Sequence, residues 1–140
     1  MMESRKPAER SDALGERLAT FADRCLTLLQ ALPRNRVGVT NFRDQLSRSA
    51  TSVAANYAEA TASESRRDFA SKMSKALKEA KESRMWLFVI AKRGYFPEAR
   101  MKPILNEAND IVRILGKSVS TARRRIAAAE APPRPHDGEH

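Results

Sequence analysis

Apolar residues recur at steps of three and four along most of the chain, and β-branched or aromatic residues never alternate with polar ones over a strand's length. This pattern predicts four helices and no sheet. In the first helix, Ser11 or Asp12 stands as N-cap before Leu14, Leu18, Phe21, Ala22, Cys25, Leu28, Leu29 and Leu32, and Pro33 ends it. Glu16, Arg17, Asp23 and Arg24 form its solvated side. After a loop from Pro33 to Val39, Thr40 or Asn41 is positioned to cap a second helix that turns Phe42, Leu46, Ala50, Val53 and Tyr57 inward. The pattern breaks at Thr61 to Glu64.

Nearly every other position of the second helix is small, from Ser47 through Ala62. Small side chains let a neighbouring helix come close, and Ser and Thr are indifferent helix formers, so packing must hold this segment. It is expected to be the most buried helix. Ser65 can cap a third helix with Phe69, Met73, Ala76, Leu77, Ala80, Leu87 and Ala91 inward and Gly94 as its C-terminal glycine. At 100° per residue, Lys72, Lys75, Lys78 and Lys81 share the opposite arc, with Glu79 and Glu82 among them. From Met85 to Ala91 the run MWLFVIA is apolar all round and demands cover on more than one side. Four helices leave one face of each exposed, so Met85, Trp86, Phe88, Val89 and Ile90 are expected at a subunit interface. The alternative cover is a terminal segment folded over them.

Pro97 marks the start of a fourth helix, with a short first turn that Pro103 reopens or kinks. Ile104, Ala108, Ile111, Leu115, Val119, Ala122, Ile126 and Ala129 then keep a coiled-coil-like spacing, widened by Leu105 and Val112. Gly116 inside a helix costs about 1 kcal/mol relative to Ala, which suggests a close neighbouring backbone. The predicted organisation is a disordered segment over residues 1–10, a bundle over 11–130 and a disordered proline-rich tail over 131–140. The helices span about 12–32, 41–61, 65–93 and 98–129.

A chain of 140 residues can bury one core without disulfide or metal. Its 26 Lys and Arg against 17 Asp and Glu give +9 and a pI near 10.3, which favours polyanionic partners. The lone Cys25 excludes an intrachain disulfide and reads as a small core residue. With no apolar run of about 20 residues and no signal-peptide core, the expected compartment is the cytoplasm, without membrane contact.

Catalytic chemistry finds no foothold. Carboxylate-bridged metal sites in bundles need a Glu-x-x-His pair, and both histidines, His136 and His140, fall in the tail. Nucleophilic constellations fail for the same want of histidine, and no phosphate loop of the Walker type exists. No enzyme activity, cofactor or metal is expected. Glu59, Glu79 and Glu82 each have a cation at helical distance and read as ion pairs rather than acid–base groups. Trp86 reads as an interface anchor, Tyr57 as core and Asn56 as a polar contact in the bundle or across subunits.

The basic residues carry the binding hypothesis. Arg66 and Arg67 head the third helix, Lys72, Lys75, Lys78 and Lys81 follow, and Arg123, Arg124 and Arg125 crowd the end of the fourth. Three adjacent arginines cannot share one helical face, so some point outward. In a ring of identical subunits a few phosphate contacts each would sum to multivalent, salt-sensitive binding. Solubility and helix-dipole complementarity are the plain alternative. With neither a helix-turn-helix signature nor an aromatic platform among those cations, readout of base sequence is not expected.

Two stretches, FRDQLSRSATSVAANYAEA from Phe42 and SRRDFASKMSKALKEAKESRMWL from Ser65, resemble the bacterial four helix bundle proteins also called 23S rRNA intervening-sequence proteins. The residues carrying it are Phe42, Gln45, Leu46, Arg48, Ser49, Ser52, Val53, Asn56, Tyr57 and Glu59, then Phe69, Lys72, Leu77, Glu79, Glu82, Trp86 and Leu87. The likeness spans roughly residues 18–120 and departs at Ala54, where the family usually has Gly or Pro, and at Ala58, often Arg. It implies an all-α up-and-down antiparallel four-helix bundle assembling as a homo-oligomeric ring, a pentamer. A weaker likeness, mainly in fold, charge and the R-I-L-G run from Arg113 to Gly116, is to the accessory variability protein of diversity-generating retroelements. That likeness implies RNA or DNA and a reverse transcriptase as partners, by analogy alone. The resulting expectation is a non-enzymatic oligomer that binds structured RNA or DNA through basic surfaces. The alternative is a protein-interaction scaffold whose charge is incidental.

Overall fold

A computed structural model describes residues 7–133 and 135, with side chains from Ala13 onward. The four amphipathic stretches become α1 Pro7–Gln30, α2 Val39–Thr61, α3 Arg66–Arg93 and α4 Glu98–Glu130, and the described residues contain no strand. Short loops make each helix antiparallel to the next. Every helix packs on its chain neighbours, and α4 closes back on α1, the arrangement of an up-and-down bundle. The α2–α3 contact is the most extensive and the α1–α4 seam the slightest.

One stripe per helix fills the centre. Leu18, Phe21 and Cys25 from α1, Leu46, Ala50 and Val53 from α2, Met73, Ala76 and Leu87 from α3, and Ile111 and Leu115 from α4 are fully or almost fully buried. The tight α2–α3 pairing follows from the small residues at its contact. Ser49 and Ser83, both buried, bring their Oγ atoms to 2.8 Å across the two helices, and Ser83 Oγ lies 2.9 Å from the Glu79 carbonyl. Among the described residues α2 has the largest buried share of the four helices, as expected, although Thr51, Ala55, Ala58 and Glu59 remain exposed on its outer side. Its small residues admit α3 on one side only.

Several helix ends differ from the sequence expectation. Helix α1 begins at Pro7, so Ser11 and Asp12 lie inside it, and residues 7–10 are helical. Residues 1–6 lie outside the described residues, as does most of the tail, whose described part, residues 131–133 and 135, is non-helical. Helix α2 is capped by Gly38 at φ 86°, not by Thr40 or Asn41, which sit within its first turn. The left-handed geometry at Gly38 turns Val39 into the core, where it is 2 % exposed. Ser65 caps α3 by accepting from the Asp68 amide at 3.0 Å, and Gly94 ends it at φ 73°.

Helix α4 runs unbroken through Pro103. In the second turn the missing amide forfeits one bond, to the Ala99 carbonyl, and Ala99 is solvent-exposed. The α4 stripe is buried through Ala122, but Ile126 is half-buried and Ala129 exposed. Gly116 has no close neighbour: a Cβ built there meets nothing within 4 Å, so the close-backbone explanation is wrong within this chain.

Candidate nucleic-acid interface

The run MWLFVIA, expected to need cover from another subunit, is divided by the bundle itself. Leu87 and Ile90 are fully buried in their own chain, which removes Ile90 from any interface. Trp86 is half-buried against α2, its ring 6.2 Å from that of Phe42 and its Nε1 donating to Glu82 at 3.4 Å. It anchors α3 on α2 and keeps only part of its surface open. Val89 is also half-buried, and only Met85 and Phe88 remain open, at 43 % and 53 % exposure.

Those two side chains continue a line. Lys75, Lys78, Lys81, Met85, Phe88 and Lys92 are spaced by three and four on α3 and are all exposed. They make one ridge, cationic in its first half and apolar in its second. Among the described residues none of Lys75, Lys78 and Lys81 has a carboxylate in ion-pair range. Beside the apolar half, Lys81, Arg84, Met85, Phe88, Lys102 and Leu105 help line an α3–α4 groove of about 920 Å³.

The other predicted cations have mixed fates. Lys72 is turned toward α2, where its ammonium meets Glu59 at 2.7 Å; this hydrogen bond lowers the Glu59 carboxyl below its ordinary value and raises Lys72. Arg67 pairs with Glu130, tying the start of α3 to the end of α4. Arg123 donates to Ser74 at 3.1 Å and Arg124 to Thr121 at 3.4 Å, so the three adjacent arginines do diverge. Arg125 and Arg66, together with Lys117, line a second α3–α4 groove of about 790 Å³ whose walls include Phe69 and Ile114. Of the predicted cations, the structure thus sets Lys81, Arg66 and Arg125 along α3–α4 grooves, leaves Lys75 and Lys78 exposed on α3 and commits Lys72 and Arg67 to internal pairs.

The acidic residues behave as partners or spectators. A bidentate Arg17–Glu107 pair, at 2.7 and 3.0 Å, clamps the α1–α4 seam with Asp110 at 3.7 Å, and that hydrogen bonding holds the Glu107 carboxyl below its usual range. Glu79 moves the other way: partial burial and then Glu82 raise it, against a smaller opposing effect of Lys78. Asn56 spends its amide on the Ser52 carbonyl at 2.9 Å, a contact within its own helix. Burial pushes the Cys25 thiol up to about 12, far from thiolate reactivity at neutral pH. Among the described residues no group of His, Cys, Asp and Glu could hold a metal ion. No described helix is long and apolar enough to cross a membrane.

One cluster escaped the sequence reading. The α1–α2 and α3–α4 loops meet the same end of the bundle with Arg34, Arg36, Lys92, Arg93, Arg100 and Lys102, and three of these lie over aromatic rings. The clue was the run K-R-G-Y-F from Lys92, but its joining to the 34–38 loop needs the antiparallel fold.

The chain was compared with known proteins on this basis. No curated protein matches it. A crystal structure of a protein with unknown function from the S23 ribosomal protein family of Bacteroides thetaiotaomicron is similar, at 29 % identity and a TM-score of 0.69, over 79 % of this chain and 97 % of that one. The family model described as 23S rRNA-intervening sequence protein matches residues 16–117, from the first core turn of α1 to the middle of α4. With the stripes, the α2–α3 serine contact and the α1–α4 clamp all inside or against that span, the chain belongs to the 23S rRNA-intervening sequence protein family.

Proposed function

We propose that this protein is a non-enzymatic homo-oligomer, a pentameric ring, that binds structured RNA or DNA by its phosphate backbone. The observation carrying the reading is the row Lys75, Lys78 and Lys81, exposed along α3 and outside ion-pair range of any carboxylate among the described residues, with a second cationic set, Arg66, Lys117 and Arg125, lining an α3–α4 groove. Cations that stabilise a fold are usually spent on carboxylates, as Lys72 and Arg67 are; these stay free for an external polyanion. Assembly is supported by the apolar end of the same ridge, where Met85 and Phe88 stand over an open groove. A ring would repeat the cationic row, and a few phosphate contacts per subunit would add.

Gel-shift titration of a hairpin RNA tests this. Retardation at low salt should fall by orders of magnitude between about 50 and 200 mM salt, and Lys75→Gln/Lys78→Gln/Lys81→Gln together with Arg123→Gln/Arg124→Gln/Arg125→Gln should weaken it. Absence of retardation at low salt would exclude the reading. The Met85 and Phe88 groove also favours a second reading, a scaffold that docks another protein with incidental charge. A gene neighbourhood holding a reverse transcriptase or an rRNA insertion favours the first, and an unrelated operon the second.

A further inference from the structure

We propose that the loop end of the bundle, where the α1–α2 and α3–α4 connections meet, is a phosphate-binding site for single-stranded or looped segments of nucleic acid. This rests on the nucleic-acid reading above and adds a place and a form of contact. Residues 33–38 and 92–102 contain Arg34, Arg36, Lys92, Arg93, Arg100 and Lys102 against one acid, Glu98. Among the described residues none of the six is in an ion pair. At the opposite end, Lys72 and Arg67 are neutralised by Glu59 and Glu130.

Folding alone does not account for the cluster. Lys92 and Arg93 close α3, where cations complement the negative end of the helix dipole. Arg100 and Lys102 stand at the start of α4, where the same dipole disfavours them, and Arg34 and Arg36 sit in an exposed loop. Arg43 nearby is bound into the fold, donating to the Leu29 and Leu32 carbonyls at 3.2 and 2.9 Å to close the end of α1.

The free cations are held in a particular way. Lys92 lies 4.9 Å from the Phe88 ring centre, Arg93 5.9 Å from Tyr95 and Arg100 4.6 Å from Phe96, and these are the cation–π contacts of the described residues. A guanidinium stacked by its face keeps its in-plane N–H groups for a phosphate, and the ring fixes its position without neutralising it. Beside this set stand the open side chain of Val37, at 93 % exposure, and the half-buried ring of Tyr95. Unpaired bases stack on an accessible ring of this kind, whereas a duplex keeps its bases stacked on one another. Asn35, Arg36, Val37, Arg93 and Tyr95 line a cavity of about 460 Å³ there, wide enough for part of a nucleotide. A membrane surface is the poorer fit, since binding a bilayer draws on a broad apolar face to insert and this end offers little beyond Val37.

The test measures fluorescence anisotropy of labelled single-stranded and hairpin RNA, with a fully paired duplex as comparison. Arg36→Gln/Arg93→Gln/Arg100→Gln should weaken single-strand binding about 10- to 100-fold and flatten the slope of log affinity against log salt by about 2, the loss of three phosphate contacts. Replacing the same three arginines with lysine should restore most of the slope. Circular dichroism checks helicity; if the triple variant unfolds, Arg36→Gln alone, in an exposed loop, should still cost about threefold or more. Wild-type affinity and slope in the Gln variant, with binding lost instead in the α3 lysine variant, would overturn the site and leave the nucleic-acid reading standing. Equal affinity for the duplex would overturn the single-strand preference. Capture by phosphatidylserine vesicles that RNA does not compete away would overturn nucleic acid as its ligand. A wild-type protein that binds no RNA at low salt would remove both readings.

Discussion

Single residues separate what helical packing needs from what it tolerates. Gly116 lies in the middle of α4 with open space beside it, so Gly116→Ala removes backbone entropy from the unfolded chain and meets no clash. We expect a gain of about 0.5–1 kcal/mol in denaturant unfolding. A loss would mean that a second copy packs on this glycine. Ser83 is the opposite case, because its hydroxyl is buried between Ser49 and the Glu79 carbonyl. Ser83→Ala should cost about 1 kcal/mol, and Ser83→Leu about 1–3 kcal/mol by forcing α2 from α3, with Tm falling in that order. Glycine content alone misdirected the reading of residue 116, since a sequence does not say which side of a helix lacks neighbours.

At the scale of elements, the weak seam is α1 against α4, and an ion pair holds it. The carboxyl of Glu107 is depressed in the fold by Arg17, so its contribution is present above the ordinary carboxylate value near 4.3 and is lost as pH falls through the depressed one. Glu107→Gln should therefore lower stability by about 0.5–1 kcal/mol at pH 7, and the difference should shrink as pH falls below the ordinary carboxylate value, measured by urea unfolding across pH. Glu79 has the opposite sign: raised by burial, it favours the fold below its ordinary value and loses that effect as pH rises through the raised one. Helix existence, the Ser65 and Gly94 caps and the core stripes were legible because each follows from local spacing and local hydrogen bonding. The Gly38 cap and the continuity of α4 through Pro103 were not, because both depend on what a neighbouring turn can leave unsatisfied.

Across the whole molecule, one α3 ridge carries both charge and grease. If rings form through its apolar half, Phe88→Glu should convert the assembly to a 15.7 kDa monomer in light scattering while leaving helicity intact, because Phe88 supports nothing in its own core. The wild-type protein running as a monomer would exclude the ring outright. The MWLFVIA run shows how far sequence reached: its excess apolarity was visible, but five of its residues, Trp86, Leu87, Val89, Ile90 and Ala91, are wholly or partly covered by the chain's own packing.

The amino-acid sequence by itself determined the number and order of the helices, the stripe each buries and the close α2–α3 pairing. Those depend on spacing of 3.6 residues per turn and on side-chain volume, both of which are local properties. Tertiary structure alone decided which cations are paired, because Glu59, Glu130 and Glu107 reach across helices to choose Lys72, Arg67 and Arg17 and leave the α3 row outside ion-pair range. It also joined two loops more than 50 residues apart into one cationic end. Charge interacts through space over several ångströms, so its pattern is set by which surfaces the bundle brings together and not by order along the chain.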